Sequence, residues 1–107
     1  MSAKTRLSGI VAAAICLGAS IAVAQSVDKG RELAERLCAG CHMNEGQGEK
    51  AGPRGIPGFR AVANRQQQTH EDVVKWLRSV PPMMPDHHLT QDEAYDLAEF
   101  IMSLRKE

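Results

Sequence analysis

Cys38-Ala39-Gly40-Cys41-His42 decides the reading of this chain. The C-x-x-C-H spacing is that of a covalent haem attachment box. Two thiols separated by two residues can add across the two vinyl groups of one haem. The next residue then supplies an imidazole as the proximal iron ligand. Five consecutive residues thus predict a covalent cofactor, an axial ligand (His42) and a redox role.

The segment upstream of the box gives the compartment. Lys4 and Arg6 form a basic start, residues 7–23 are apolar or small without a charge, and Ala22-Val23-Ala24 is an A-x-A cleavage site. Residues 1–24 are therefore expected to be a signal peptide and residues 25–107 a single domain. The apolar run is slightly shorter than the roughly 20 residues of a membrane span and is rich in Ala, which disfavours an uncleaved anchor. Cys16 leaves with the leader, so Cys38 and Cys41 are the only cysteines of the exported chain. Haem is attached to such boxes outside the cytoplasm, so leader and box support each other. The exported protein is expected in the periplasm, with no stable membrane insertion after cleavage.

Other cysteine chemistries lack their partners. A zinc site would need a second clustered ligand pair, and the adjacent His87 and His88 are poor geometry for one metal. A redox C-x-x-C would sit among alternating strands and helices, and no strand is legible here. Without the 24 leader residues, 83 of 107 remain, carrying 11 Lys and Arg against 13 Asp and Glu, a net charge of −2. That gives no basic footprint for nucleic acid and no polybasic membrane patch. Such a short chain with few aromatics builds a marginal core by itself. A haem would supply the missing apolar surface, so the apo chain is expected to fold poorly.

Helical periodicity predicts three helices. The first covers 27–39, with Val27, Leu33, Ala34 and Leu37 as its stripe and Asp28 in its first turn. The second covers 69–80, opened by Thr69 and Asp72 as a capping box. Val73, Trp76, Leu77 and Val80 form its buried face, and Pro81-Pro82 stop it. The third covers 90–105, opened by the capping box of Thr90 and Glu93, with Arg105 and Lys106 suited to its C-terminal dipole. Between the first two lies a long loop, 43–65, rich in Gly and Pro but carrying Ile56, Phe59, Val62 and Ala63. Such a loop usually wraps something or carries function.

A six-coordinate haem needs a second axial ligand. Val80-Pro81-Pro82-Met83-Met84-Pro85 offers two thioethers in a proline-stiffened loop. Met opposite His raises the potential of a haem iron. Either Met83 or Met84 satisfies this logic; His87 and His88 are chemical rivals.

From Val27 to Leu104 the chain resembles the class I c-type cytochromes. The resemblance rests on Gly30 and Leu33 before the haem box, Ile56-Pro57-Gly58-Phe59 in the loop, Met84-Pro85, Leu89-Thr90, and the last helix with an aromatic at Phe100. It implies an all-α fold: a small cytochrome c domain, three main helices and long loops around one covalent haem c held through Cys38 and Cys41. It implies Met84 as the distal ligand, with Met83 beside it. It also implies a proline carbonyl that fixes the His42 ring, with Pro57 the better match and Pro53 the alternative. Gly30 would let the first helix cross the last one closely against Phe100. Trp76 would turn its indole toward a haem propionate or serve as a core aromatic. Arg60 and Arg65 are further propionate candidates.

The function so implied is one-electron transfer between a redox protein donor and acceptor of unknown identity, without enzymatic bond-making. A haem subunit of a larger dehydrogenase or oxidase and a gas-binding haem sensor are the alternatives. The box opens the exported domain, unlike that of a helical-bundle cytochrome, and no second box exists for a dihaem peroxidase.

Overall fold

The computed structural model describes residues 2–42 and 55–106. Expectations placed on 43–54, Pro53 and its neighbouring glycines among them, lie outside the described residues. Five helices occur among those described: α1 (Ser2–Leu37), α2 (Ala39–His42), α3 (Phe59–Ala63), α4 (His70–Arg78) and α5 (Gln91–Ser103). No strand occurs among them, in keeping with an all-α domain.

The first helix differs from the expected 27–39. It begins at Ser2 and runs unbroken into the domain, because the Ala-rich leader has no proline and its two glycines, Gly9 and Gly18, weaken a helix without stopping it. Asp28 therefore lies inside α1 and caps nothing. At the other end the helix stops at Leu37. Cys38 forms a turn, and α2 adds one further turn that carries Cys41 and His42. Ser26 Oγ donates to Asp96 Oδ1 at 2.6 Å and ties α1 to α5.

α1 crosses α5 at Gly30, and only a glycine fits there. A Cβ at this position would lie 1.9 Å from Asp96 O and 2.8 Å from Phe100 Cβ. The close approach lets Leu33, Ala34, Leu97, Ala98 and Phe100 pack into one buried cluster. Gly30→Ala is expected to push the helices apart at a cost of about 1–3 kcal/mol or more. A thermal melt checks it, and an unchanged midpoint would reject the tight crossing.

α4 and α5 begin as their local sequences predict. Thr69 Oγ1 accepts from Asp72 N at 3.1 Å while Asp72 Oδ2 accepts from Thr69 N at 3.1 Å. Thr90 Oγ1 accepts from Glu93 N at 3.1 Å, and Glu93 Oε1 accepts from Thr90 N at 2.9 Å. Each box satisfies two backbone donors that a helix start leaves orphaned. Thr90→Ala is expected to cost about 1 kcal/mol, readable by denaturant titration. The hydrogen bonds from the backbone and side chain of Thr90 hold the Glu93 carboxyl below its ordinary value of 4.5. A depressed carboxyl stabilises the fold above its unfolded pKa and ceases to do so as pH falls through the folded one. The contribution of the Glu93 carboxylate at this cap is therefore expected to be full at neutral pH and to fade below about pH 4.5, and Thr90→Ala, which keeps the backbone donor, to retain most of that pH dependence.

The helix ends are less regular than predicted. α4 stops at Arg78, two residues short of the expected end, with Ser79 as C-cap. Ser79 Oγ donates to Trp76 O at 2.6 Å and satisfies a terminal carbonyl. The expected buried face of this helix is also narrower. Val73 is buried and Leu77 half-buried, but Trp76 is 54 % exposed and Val80 lies beyond the helix, exposed. Nine residues make only two and a half turns, so one face meets α5 while Trp76 borders the open cavity beside it. Arg105 and Lys106 lie just past α5 and its C-cap Leu104. Arg105 Nη1 donates to Gln68 O at 2.9 Å and Lys106 N to Asn64 Oδ1 at 2.9 Å, tying the C-terminal end to the turn after α3. That short helix was not expected within the loop. It presents Phe59 and Ala63 to the core.

Candidate haem site

The C-x-x-C-H box is held by the end of α1. Cys38 N donates to Ala34 O at 2.9 Å, and His42 N and Cys41 N donate to Cys38 O at 2.9 and 3.1 Å. This tight wind leaves Cys38 half-buried and Cys41 exposed. Burial first, and Cys41 beside it second, push the free Cys38 thiol up to about 11.

His42 is oriented by the loop beneath it. Its Nδ1 lies 2.8 Å from Pro57 O. A carbonyl only accepts, so Nδ1 carries the proton and Nε2 presents its lone pair. The Phe59 ring stacks on the imidazole, with centroids 5.3 Å apart and planes at 19°. The Ile56-Pro57-Gly58-Phe59 stretch explains both contacts. The extended backbone at Gly58 (φ −67°, ψ 159°) carries the chain past the imidazole edge before α3 starts at Phe59.

Cys38, Cys41, His42, Pro57, Trp76 and Met84 all border one cavity of about 520 Å³. Its size falls in the ~300–1,000 Å³ range of cofactor pockets. Phe59, Val73, Leu97 and Ile101 give it an apolar wall from α3, α4 and α5. Two thiols, an imidazole and a thioether on the border of one cavity with apolar walls fit a covalently held haem. Met83 also borders the cavity, but its side chain is fully exposed (103 %), whereas Met84 is half-buried. His87 touches the rim. His88 does not, and pairs instead with Asp86, its backbone N donating to Asp86 Oδ1 at 2.8 Å. Arg65 borders the cavity; Arg60 does not.

The methionine loop is strained and pinned. Val80 has φ +52° and Met83 φ +72°, a conformation costing roughly 1–2 kcal/mol per non-glycine residue. Such strain persists only where neighbours over-determine the backbone. Here Met84 N donates to Pro81 O at 3.2 Å, and Arg78 Nη1 donates to Leu89 O at 2.6 Å, fastening α4 to the far end of the loop.

A helical domain with a C-x-x-C-H box, an apolar cofactor-sized cavity and a methionine at its edge defines a class of small haem electron-transfer proteins. Residues 27–105 match the cytochrome c family model, and the chain belongs to that family. It is 35 % identical over 92 residues to cytochrome c-552 of Bradyrhizobium diazoefficiens, covering 86 % of this chain and 88 % of that protein. No solved structure matches the chain significantly. The domain is thus a class I c-type cytochrome with one haem c attached through Cys38 and Cys41, and it acts in electron transfer with redox partners.

Sequence reasoning missed the Phe59 stack on His42. The usable signal was its place two residues after Pro57, beyond a glycine, which returns a side chain to the face of a ring held by the Pro57 carbonyl.

Proposed function

We propose that this cytochrome is a periplasmic one-electron carrier in which His42 and Met84 hold the haem iron from opposite sides. When bound, the haem supplies reversible Fe(II)/Fe(III) chemistry. The residues of the chain hold two axial donors, exclude water and keep the redox centre near the surface. They break no substrate bond, so the domain is a carrier and not an enzyme. The observation that carries this reading is that His42, fixed through Pro57 O, and half-buried Met84 border the same apolar cavity. A thioether opposite an imidazole favours the reduced state and a higher potential. Trp76, half-exposed at the cavity edge, has an indole N–H suited to a haem propionate.

Export follows from residues 1–24 acting as a signal peptide, with 25–107 as the working domain. Where described, residues 18–25 are exposed, and Ser26, one residue after the proposed new N-terminus, bonds to Asp96 of α5. Among the described residues no helix is long and apolar enough to cross a membrane. Intact mass of the haem-bearing protein from a periplasmic extract tests this part. The expected mass is that of residues 25–107 plus one haem. Full-length protein in the membrane fraction would contradict it.

A further inference from the structure

The imidazole of His42 is restrained twice, and only one restraint is a hydrogen bond. The Pro57 carbonyl holds the ring at its Nδ1 edge. That contact resists rotation about Cβ–Cγ only softly, because hydrogen bonds tolerate tens of degrees of misalignment. Phe59 closes one face of the ring, nearly parallel to it. Phe59 is itself 4 % exposed and immobilised by Phe100, which meets it edge-on at 6.1 Å and 74°. This offset, edge-to-face geometry is the favoured one for aromatic pairs. Phe100 is 1 % exposed, sits against the Gly30 crossing, and carries the Arg31 guanidinium 5.4 Å from its ring centroid. An unbroken chain of packed groups therefore runs from the α1–α5 crossing through Phe100 and Phe59 to His42.

We infer that Phe59 is a positioning residue for the proximal ligand, setting the plane of the His42 ring and coupling it to the packing of α1 on α5. The inference rests on His42 as an iron ligand. The plane of an axial imidazole determines which iron orbitals it meets, so a ring free to rotate alters the electronic structure of the haem without any change of ligand. Pro57 fixes the tautomer and Phe59 fixes the tilt; neither substitutes for the other.

Phe59→Leu keeps a comparable apolar volume but removes the flat face. Leu104→Val trims the same buried cluster away from the cavity and serves as the control for general loosening. Proton NMR of the haem-loaded proteins reads the haem-methyl shift pattern in the oxidised form and the His42 ring resonances in the reduced form. The expected result is a redistributed methyl pattern in Phe59→Leu and an unaltered pattern in Leu104→Val. In the unaltered protein, cross-relaxation between the Phe59 and His42 rings is expected, which tests the stack even if Phe59→Leu fails to mature. A wild-type methyl pattern in Phe59→Leu overturns the positioning role, as do equal changes in both variants or an absent ring-to-ring signal. If the unaltered protein lacks the strongly ring-current-shifted His42 resonances of an iron ligand, the ligation reading itself fails, and the inference with it.

Discussion

Cys38→Ala combined with Cys41→Ala is expected to abolish covalent haem and, with it, the folded domain. Haem staining on a denaturing gel should vanish, and far-ultraviolet circular dichroism should show a large loss of helix. The size of the effect follows from the cavity. Without haem, the apolar walls around the 520 Å³ space lose their packing partner and face water, in a domain whose whole stability is only ~5–15 kcal/mol. The walls from α3, α4 and α5 must therefore collapse or unfold. The capping boxes and the Gly30 crossing contribute about 1 kcal/mol or a few each and cannot make up the difference. Haem persisting on the gel would contradict attachment through these thiols, and a cooperative melt without haem would contradict the dependence of the fold on it.

Met84→Ala is the second large effect. It should remove the thioether donor, leave an open or water-filled sixth position and lower the reduction potential. Axial ligands tune haem potentials over roughly 0.8 V, so a fall on the order of 0.1 V or more is expected. Met83→Ala should change the potential little, because its side chain is fully exposed. Potentiometric titration of both variants separates them. The reverse pattern would move the distal ligand to Met83. Loop strain is expected to persist in Met84→Ala, because Val80 and Met83 are held in left-handed backbone by anchors that do not involve the thioether, notably the Arg78 contact with Leu89 O.

What was legible in the sequence was local. A C-x-x-C-H box, two capping boxes and the Gly30 position each depend on a few residues or on one helix crossing, and the family pattern sets their order. The start of α1 was not legible, because nothing between leader and domain breaks a helix; the separation expected at Ala24 is a matter of proteolysis. The end of α4 was misjudged since the apolar stripe runs on to Val80, yet Ser79 caps the helix first. Trp76 borders the cavity instead of the packed core, which periodicity does not reveal. The positive φ values at Val80 and Met83 were invisible for a different reason. Neither residue favours that backbone, and tertiary anchors impose it. The Phe59 stack had a local signal in its place two residues after Pro57, but only the fold brings the Pro57 carbonyl to His42 and so gives that spacing its meaning.

Whether one covalent haem is held between His42 and Met84 is decided by absorption spectra of the exported protein, produced with haem-maturation machinery. A sharp low-spin reduced spectrum, insensitive to carbon monoxide, is expected, with the weak far-red band of a methionine-ligated ferric haem in the oxidised form. A high-spin spectrum that shifts on adding carbon monoxide would mean an open distal position and would rule this ligation out.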